Sequence, residues 1–93
     1  MGIVHGGLVC TLLDSVVGCA VHSTLPLGLG YTCLELKVSY LAAVHAHSGE
    51  LTATGRVLKP GKRVAFADGE VRDAAGKLIA TATSTLLVFP LPE

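Results

Sequence analysis

The sequence lacks any excess of one charge, since seven Lys and Arg residues balance seven Asp and Glu residues in 93. Proteins that bind a nucleic-acid backbone or an anionic bilayer usually present a surplus of basic residues. Nucleic acid and membranes are therefore unexpected partners. Charged residues are also scarce, at 15% of the chain against 51% apolar, and this composition excludes a disordered protein.

Paired cysteines and long apolar runs are missing too. Cys10, Cys19 and Cys33 are odd in number, and their spacing fits neither a disulfide framework nor a zinc site, so we expect them to be reduced core residues. The first five residues carry no Lys or Arg of a signal peptide, and the apolar run over residues 8–21 is too short to span a bilayer and contains Asp14. We expect a soluble, cytoplasmic protein.

The length of the chain allows one domain, over residues 1–93. A domain this small buries only about 60% of its unfolded surface, so such an apolar chain would expose large apolar patches as a single copy. Composition therefore predicts a homo-oligomer, a dimer or a tetramer.

The hydrophobic pattern predicts one helix followed by four strands. Residues 7–23 are apolar on nearly every face and contain no proline, which indicates a long buried helix that ends at the Pro- and Gly-rich residues 25–30. Strands are expected over residues 33–40, 50–58, 63–72 and 78–88, with turns at 59–62 and 73–77 and with Pro90 and Pro92 ending the pairing. Short turns make the sheet antiparallel, so the fold class is α+β, with a curved sheet wrapped around the helix.

The faces of these strands are predicted from their alternation. In the first strand one row should face the core and the other water: Leu34, Leu36, Val38 and Tyr40 against Cys33, Glu35, Lys37 and Ser39. Small residues on the later strands would let their backbones approach the helix closely; these are Ala53, Gly55, Ala65, Ala67, Gly69, Ala80 and Ala82.

Asp14 is the single charged residue among the first 34. A carboxylate in apolar surroundings has a raised pKa and can become a base or a nucleophile. The alternative is a structural role, in which Asp14 caps a backbone group or pairs with an Arg of the sheet.

Gly6 and Gly7 lie at the entrance of the helix, where the first amides have no acceptor within the helix and could bind a developing oxyanion. The alternative is that the glycines only make a tight turn. Gly7 and Asp14 share one helix face but lie about 10 Å apart, too far for both to reach one carbonyl. Two chains related by a two-fold axis could bring the glycines of one helix to the Asp of the other.

Four segments together resemble the hotdog-fold acyl-CoA thioesterases of the phenylacetic-acid-degradation type, within the 4-hydroxybenzoyl-CoA thioesterase superfamily. The segments are residues 5–15 (His-Gly-Gly with an acid seven residues after the second Gly), 32–41, 61–63 and 80–83. The resemblance covers nearly the whole chain and implies a hotdog fold and hydrolysis of an acyl-CoA, with no cofactor because CoA is part of the substrate.

The resemblance also implies roles for individual residues. The amide of Gly6 would bind the thioester carbonyl, and Asp14 of the facing subunit would act as base or nucleophile. Residues expected to line the substrate site are His5, Gly7, Thr32 and Cys33, with Gly61, Lys62 and Arg63 near the CoA phosphates. The two cations suit phosphate, although a solvated hairpin end would look the same.

The sequence departs from its relatives in three places. Cys33 stands where they usually have Ser or Thr, and residues 40–43 lack their Arg-Pro corner. Relatives also carry a strand and a polar residue upstream of the His-Gly-Gly, which we expect to be absent here. The alternative function is therefore a non-catalytic acyl-CoA or acyl-carrier binding protein, or a truncated paralogue of impaired activity. His45 and His47 lack an evident third ligand, so no metal is expected.

Overall fold

One helix packs on a single four-stranded antiparallel sheet. A computed structural model describes residues 6–45 and 48–92. Its elements are α1 (Gly6–His22), β1 (Leu29–Tyr40), β2 (Thr52–Lys59), β3 (Val64–Arg72) and β4 (Leu78–Pro90). The strands lie in the order β1-β4-β3-β2, and every neighbouring pair is antiparallel. The predicted α+β class is confirmed.

The core lies between the sheet and one stripe of α1. Every fourth helical residue faces the sheet, and these four side chains are at most 2% exposed: Val9, Leu13, Val17 and Val21. Burial of each contributes about 1.5–3 kcal/mol. The opposite side of α1 is exposed within one chain, at Gly7, Leu8, Thr11, Asp14, Ser15, Cys19 and His22.

The helix approaches the sheet most closely at two glycines. A Cβ atom on Gly55 of β2 would collide with the carbonyl oxygen of Val16, and one on Gly69 of β3 would lie 3.3 Å from side-chain atoms of Leu13, Val16 and Val17. The neighbouring alanines Ala65, Ala67, Ala80 and Ala82 are buried. The small residues therefore permit the close packing that the sequence predicted.

Several strand boundaries differ from the prediction: β2 and β3 begin one or two residues later, β2 ends one residue later, and β1 and β4 are longer. β1 begins at Leu29 rather than residue 33, because Leu29 and Gly30 pair with the end of β4. β4 continues to Pro90 rather than ending at residue 88. Proline removes only its own N–H, and the next amide, that of Leu91, donates to the carbonyl of Gly28 at 2.8 Å.

A β-bulge in β1 overturns part of the predicted face pattern. The register with β4 shifts between Cys33 and Glu35, so Leu34 is an extra residue and is 56% exposed. Cys33, predicted to face water, instead lies on the helix side of the sheet, opposite the buried Leu86. An inserted residue reverses the alternation on one side of it.

The cysteines and the helix length bear on two further expectations. All three cysteines are free, but Cys19 is exposed on the outer side of α1, so its prediction as a core residue was wrong. Within residues 6–45 and 48–92, no helix is both long and apolar enough to cross a bilayer.

Candidate functional site

The site begins at the start of α1, where Gly6 is half-buried and Gly7 is exposed. The hydroxyl of Tyr40, the last residue of β1, donates to the carbonyl oxygen of Gly6 at 2.8 Å. The Tyr40 ring covers the same glycine, since a Cβ atom there would lie 3.3 Å from the ring. The first amides of a helix have no acceptor within it and lie at the positive end of the helix dipole, so this end of α1 can bind an oxyanion.

Asp14 lies two turns further along α1, on the same exposed stripe as Gly7. We expected Asp14 to lie in apolar surroundings, but within one chain it is exposed, because the sheet covers only the opposite side of the helix. In the described part of the chain its carboxylate has no ion-pair partner; Arg56 pairs with Asp68 and Arg72 with Glu70. The alternative of an Arg partner from the sheet is therefore also unmet.

The helix geometry keeps Gly7 and Asp14 about 10 Å apart in one chain. The structure thus brings the glycines and the acid to one surface but not to one point. A single carbonyl could contact both only if they came from different chains.

Cys33 belongs to a small hydrogen-bonded cluster at the bulge. Its thiol lies 3.0 Å from the carbonyl oxygen of Glu35 and 3.1 Å from the hydroxyl of Ser84 on β4. Ser84 is 3% exposed and donates to the same Glu35 carbonyl at 2.7 Å. Thr32 is exposed and pairs with Leu87, whereas Cys33 pairs with the buried Leu86. Thr32 and Cys33 therefore lie on opposite faces of β1.

Ser84 was missed by the sequence analysis. It is one hydroxyl in a run of alternating Ala, Thr and Ser residues, and nothing in that run singles it out. Its partner Cys33 was assigned to the other face of the strand, because the bulge leaves no clear signature in the sequence. Only the register of β1 with β4 reveals the pair.

The predicted phosphate-binding residues lie in the turn between β2 and β3. Gly61 is required there, since a Cβ atom would collide with the carbonyl oxygen of Val64. Lys62 and Arg63 are exposed, and the Arg63 carbonyl accepts from the Val88 amide at 2.7 Å.

This turn and the start of α1 lie at opposite ends of the sheet. Val88 contacts the turn, whereas Ala80 pairs with Tyr40, which holds Gly6. Eight residues of strand separate Val88 from Ala80, a distance of about 26 Å. One chain therefore holds the cations and its helix start far apart.

The histidines are less informative about the candidate site. His5 and His47 lie outside the described residues. The His22 ring packs against Tyr31 with centroids 5.6 Å apart, and the His45 amide donates to the Ser48 hydroxyl at 2.9 Å. In the part of the chain that is described, no group of three or more His, Cys, Asp or Glu residues could hold a metal ion.

The chain is similar to known thioesterases in sequence and in structure. A family model of the thioesterase superfamily matches residues 1–80. Acyl-coenzyme A thioesterase 13 of Mus musculus is 33% identical over 86 residues, which make up 91% of this chain and 60% of that protein.

Two solved structures are also similar. A Bacillus halodurans protein crystallised with CoA has a TM-score of 0.87 and 31% identity, over 94% of this chain and 60% of that one. A phenylacetic acid degradation-related protein of Ralstonia eutropha JMP134 has a TM-score of 0.85 and 36% identity, over 92% and 63%. The predicted hotdog fold is confirmed. The chain spans between 52% and 62% of the length of the curated relatives it matches.

Proposed function

The chain belongs to the thioesterase superfamily, and from this premise we propose that it hydrolyses acyl-CoA thioesters to a free acid and CoA, at a site shared by two copies. The observation that carries the proposal is the exposed Asp14, which has no ion-pair partner within the described chain and lies on the same surface as the start of α1. A carboxylate so placed is available to a substrate or to a second chain.

Two geometric facts support a site between subunits. Gly7 and Asp14 are about 10 Å apart along one helix. The start of α1 and the Lys62–Arg63 turn are at opposite ends of the sheet, near Ala80 and Val88, which lie about 26 Å apart along β4. Two chains packed in opposite directions about a two-fold axis would bring the helix start of one to Asp14 and the basic turn of the other.

The chemistry requires a base or nucleophile and an oxyanion donor. As a base, Asp14 takes a proton from water while the water oxygen bonds to the thioester carbon. The carbonyl oxygen becomes negative and accepts from the Gly6 amide, after which the C–S bond breaks and the CoA thiolate takes up the proton from Asp14. As a nucleophile, Asp14 would instead attack the thioester carbon, and the C–S bond would break to leave an anhydride and the CoA thiolate. Water then hydrolyses the anhydride to the free acid and the Asp14 carboxylate, and the thiolate takes up a proton that this hydrolysis releases.

The substrate class has separate support. A structural neighbour was crystallised with CoA, and a curated relative is an acyl-coenzyme A thioesterase. The exposed Lys62 and Arg63 provide two cations for the CoA phosphates. We propose no cofactor, because CoA is itself part of the substrate, and we propose a homo-oligomer in the cytoplasm.

The proposal is tested by release of free CoA thiol from aryl and aliphatic acyl-CoAs. Asp14→Asn should lower kcat by about 10²- to 10⁴-fold, because the amide cannot take the proton. Gly6→Pro removes the oxyanion donor and should lower kcat by about 10²- to 10³-fold, while a proline fits the first turn of a helix. Gly6→Ala keeps the amide and is the matched control.

Other outcomes discriminate against this function. A parent protein that binds acyl-CoA in calorimetry but releases no thiol would favour the non-catalytic binding protein. Hydrolysis by Asp14→Asn at the parental rate would remove Asp14 from the mechanism.

A further inference from the structure

We propose that Tyr40 is a positioning residue for hydrolysis, which holds Gly6, the residue that carries the proposed oxyanion donor, in a fixed place against the sheet. This inference rests on the proposed function, because it assigns Tyr40 a role through Gly6. Tyr40 itself need not touch the substrate. It belongs to the same chain as the glycine that it holds.

The contact between the two residues is specific. The Tyr40 hydroxyl donates to the Gly6 carbonyl at 2.8 Å, over a separation of 34 residues in sequence. The ring lies against the α-carbon of Gly6, so closely that a methyl group there would be 3.3 Å from three ring and hydroxyl atoms. One side chain thus fixes both the position of Gly6 and the orientation of its carbonyl group.

Tyr40 is itself firmly held. Its backbone pairs with Ala80 at the end of β1, and the next two amides, of Leu41 and Ala42, both donate to the Ile79 carbonyl at 2.8 and 3.1 Å. The ring therefore projects from a fixed point on the sheet. The hydrogen bond ties the start of α1 to that point.

The start of α1 needs such a tie more than most helices do. It consists of two consecutive glycines, and glycine loses more conformational freedom on folding than any other residue. No acidic side chain lies in the first turn, so none is there to stabilise the positive end of the helix. Without Tyr40 the first residue of α1, which carries the proposed donor, would be less firmly held.

A fixed donor matters for the transition state rather than for substrate binding. An oxyanion donor stabilises charge that develops during reaction, and it is effective when its direction is set in advance. Loss of the Tyr40 hydroxyl should therefore lower kcat and leave KM nearly unchanged.

The test is Tyr40→Phe, which keeps the ring and removes the hydrogen bond. We expect kcat for acyl-CoA hydrolysis to fall about three- to tenfold, the range of one ordinary hydrogen bond, with little change in KM and a fall of a few degrees at most in the thermal unfolding midpoint. The backbone amide resonance of Gly6 in a ¹⁵N-labelled sample should shift or broaden. Tyr31→Phe is the matched control, because it removes a hydroxyl from the other end of β1, beside Gly18.

The outcomes separate this inference from the proposed function. If the parent hydrolyses acyl-CoA and Tyr40→Phe has the parental kcat, the positioning role is wrong while the thioesterase activity stands. If the parent releases no thiol, the proposed function fails, and the Gly6 resonance alone decides whether Tyr40 holds the helix start. An unchanged Gly6 resonance in Tyr40→Phe would overturn that hold.

Discussion

Cys33 is the residue whose substitution tests the chemistry of the bulge. A thiol is a weaker hydrogen-bond donor and acceptor than a hydroxyl. Cys33→Ser keeps partners at Ser84 and Glu35, and its stronger hydrogen bonds should order this part of the proposed substrate site. We expect kcat for thioester hydrolysis to rise by about two- to tenfold, in line with one improved hydrogen bond.

The matched control is Cys19→Ser on the exposed side of α1, which should leave kcat unchanged. Cys33→Ala should have a lower kcat than the parent. Equal kcat values for the Ser and Ala variants would show that hydrogen bonding at position 33 does not contribute to hydrolysis.

The sequence predicted which residues belong to the candidate site better than it predicted the surroundings of those residues. Asp14 and Gly6 were selected because a lone acid and a glycine pair in an apolar helix are chemically unusual. Their surroundings depend on which side the sheet covers, and this left Asp14 exposed within one chain rather than buried. The face of Cys33 depends on a one-residue bulge, which a periodic pattern cannot reveal.

The contact between α1 and the sheet gives a prediction at the scale of elements. A methyl group at Gly55 would collide with the Val16 carbonyl oxygen, a backbone atom that can move only with the helix. Replacing glycine by alanine gains about 0.4–1 kcal/mol where the site is compatible, but overpacking costs about 1–3 kcal/mol. Gly55→Ala should therefore be less stable in urea unfolding at fixed protein concentration.

Gly69→Ala is the control for this effect. Its methyl group would meet only side-chain atoms of Leu13, Val16 and Val17, at 3.3 Å, and side chains can adjust. Gly69→Ala should lower the free energy of unfolding less than Gly55→Ala does. If the two variants unfold at the same urea concentration, close approach of the β2 and α1 backbones does not limit the packing.

The elements themselves were largely predictable, because their signals are local. The period changes from helical to alternating after Gly30, and Pro60 with Gly61 marks the turn. Boundaries were harder: β1 and β4 extend each other through pairs such as Leu29 with Pro90. Such pairing joins residues 61 positions apart, so no local window contains it.

At the scale of the whole molecule, the exposed side of α1 and the separated ends of the sheet favour an assembly with shared sites. Subunit mixing tests this directly. Asp14→Asn and Gly6→Pro chains should each be nearly inactive alone. A mixed dimer joins the intact Asp14 of one chain to the intact Gly6 of the other, so one of its two sites is complete.

Co-refolding the two inactive variants in equal amounts should therefore restore about a quarter of the parental kcat, since half of the dimers are mixed and each has one working site of two. Refolding the parent chain alone is the control for recovery of active protein, and Asp14→Asn refolded alone gives the background rate. A mixture as inactive as its components would place both residues in separate sites or within one chain. That result would contradict the shared site even if each residue proved essential.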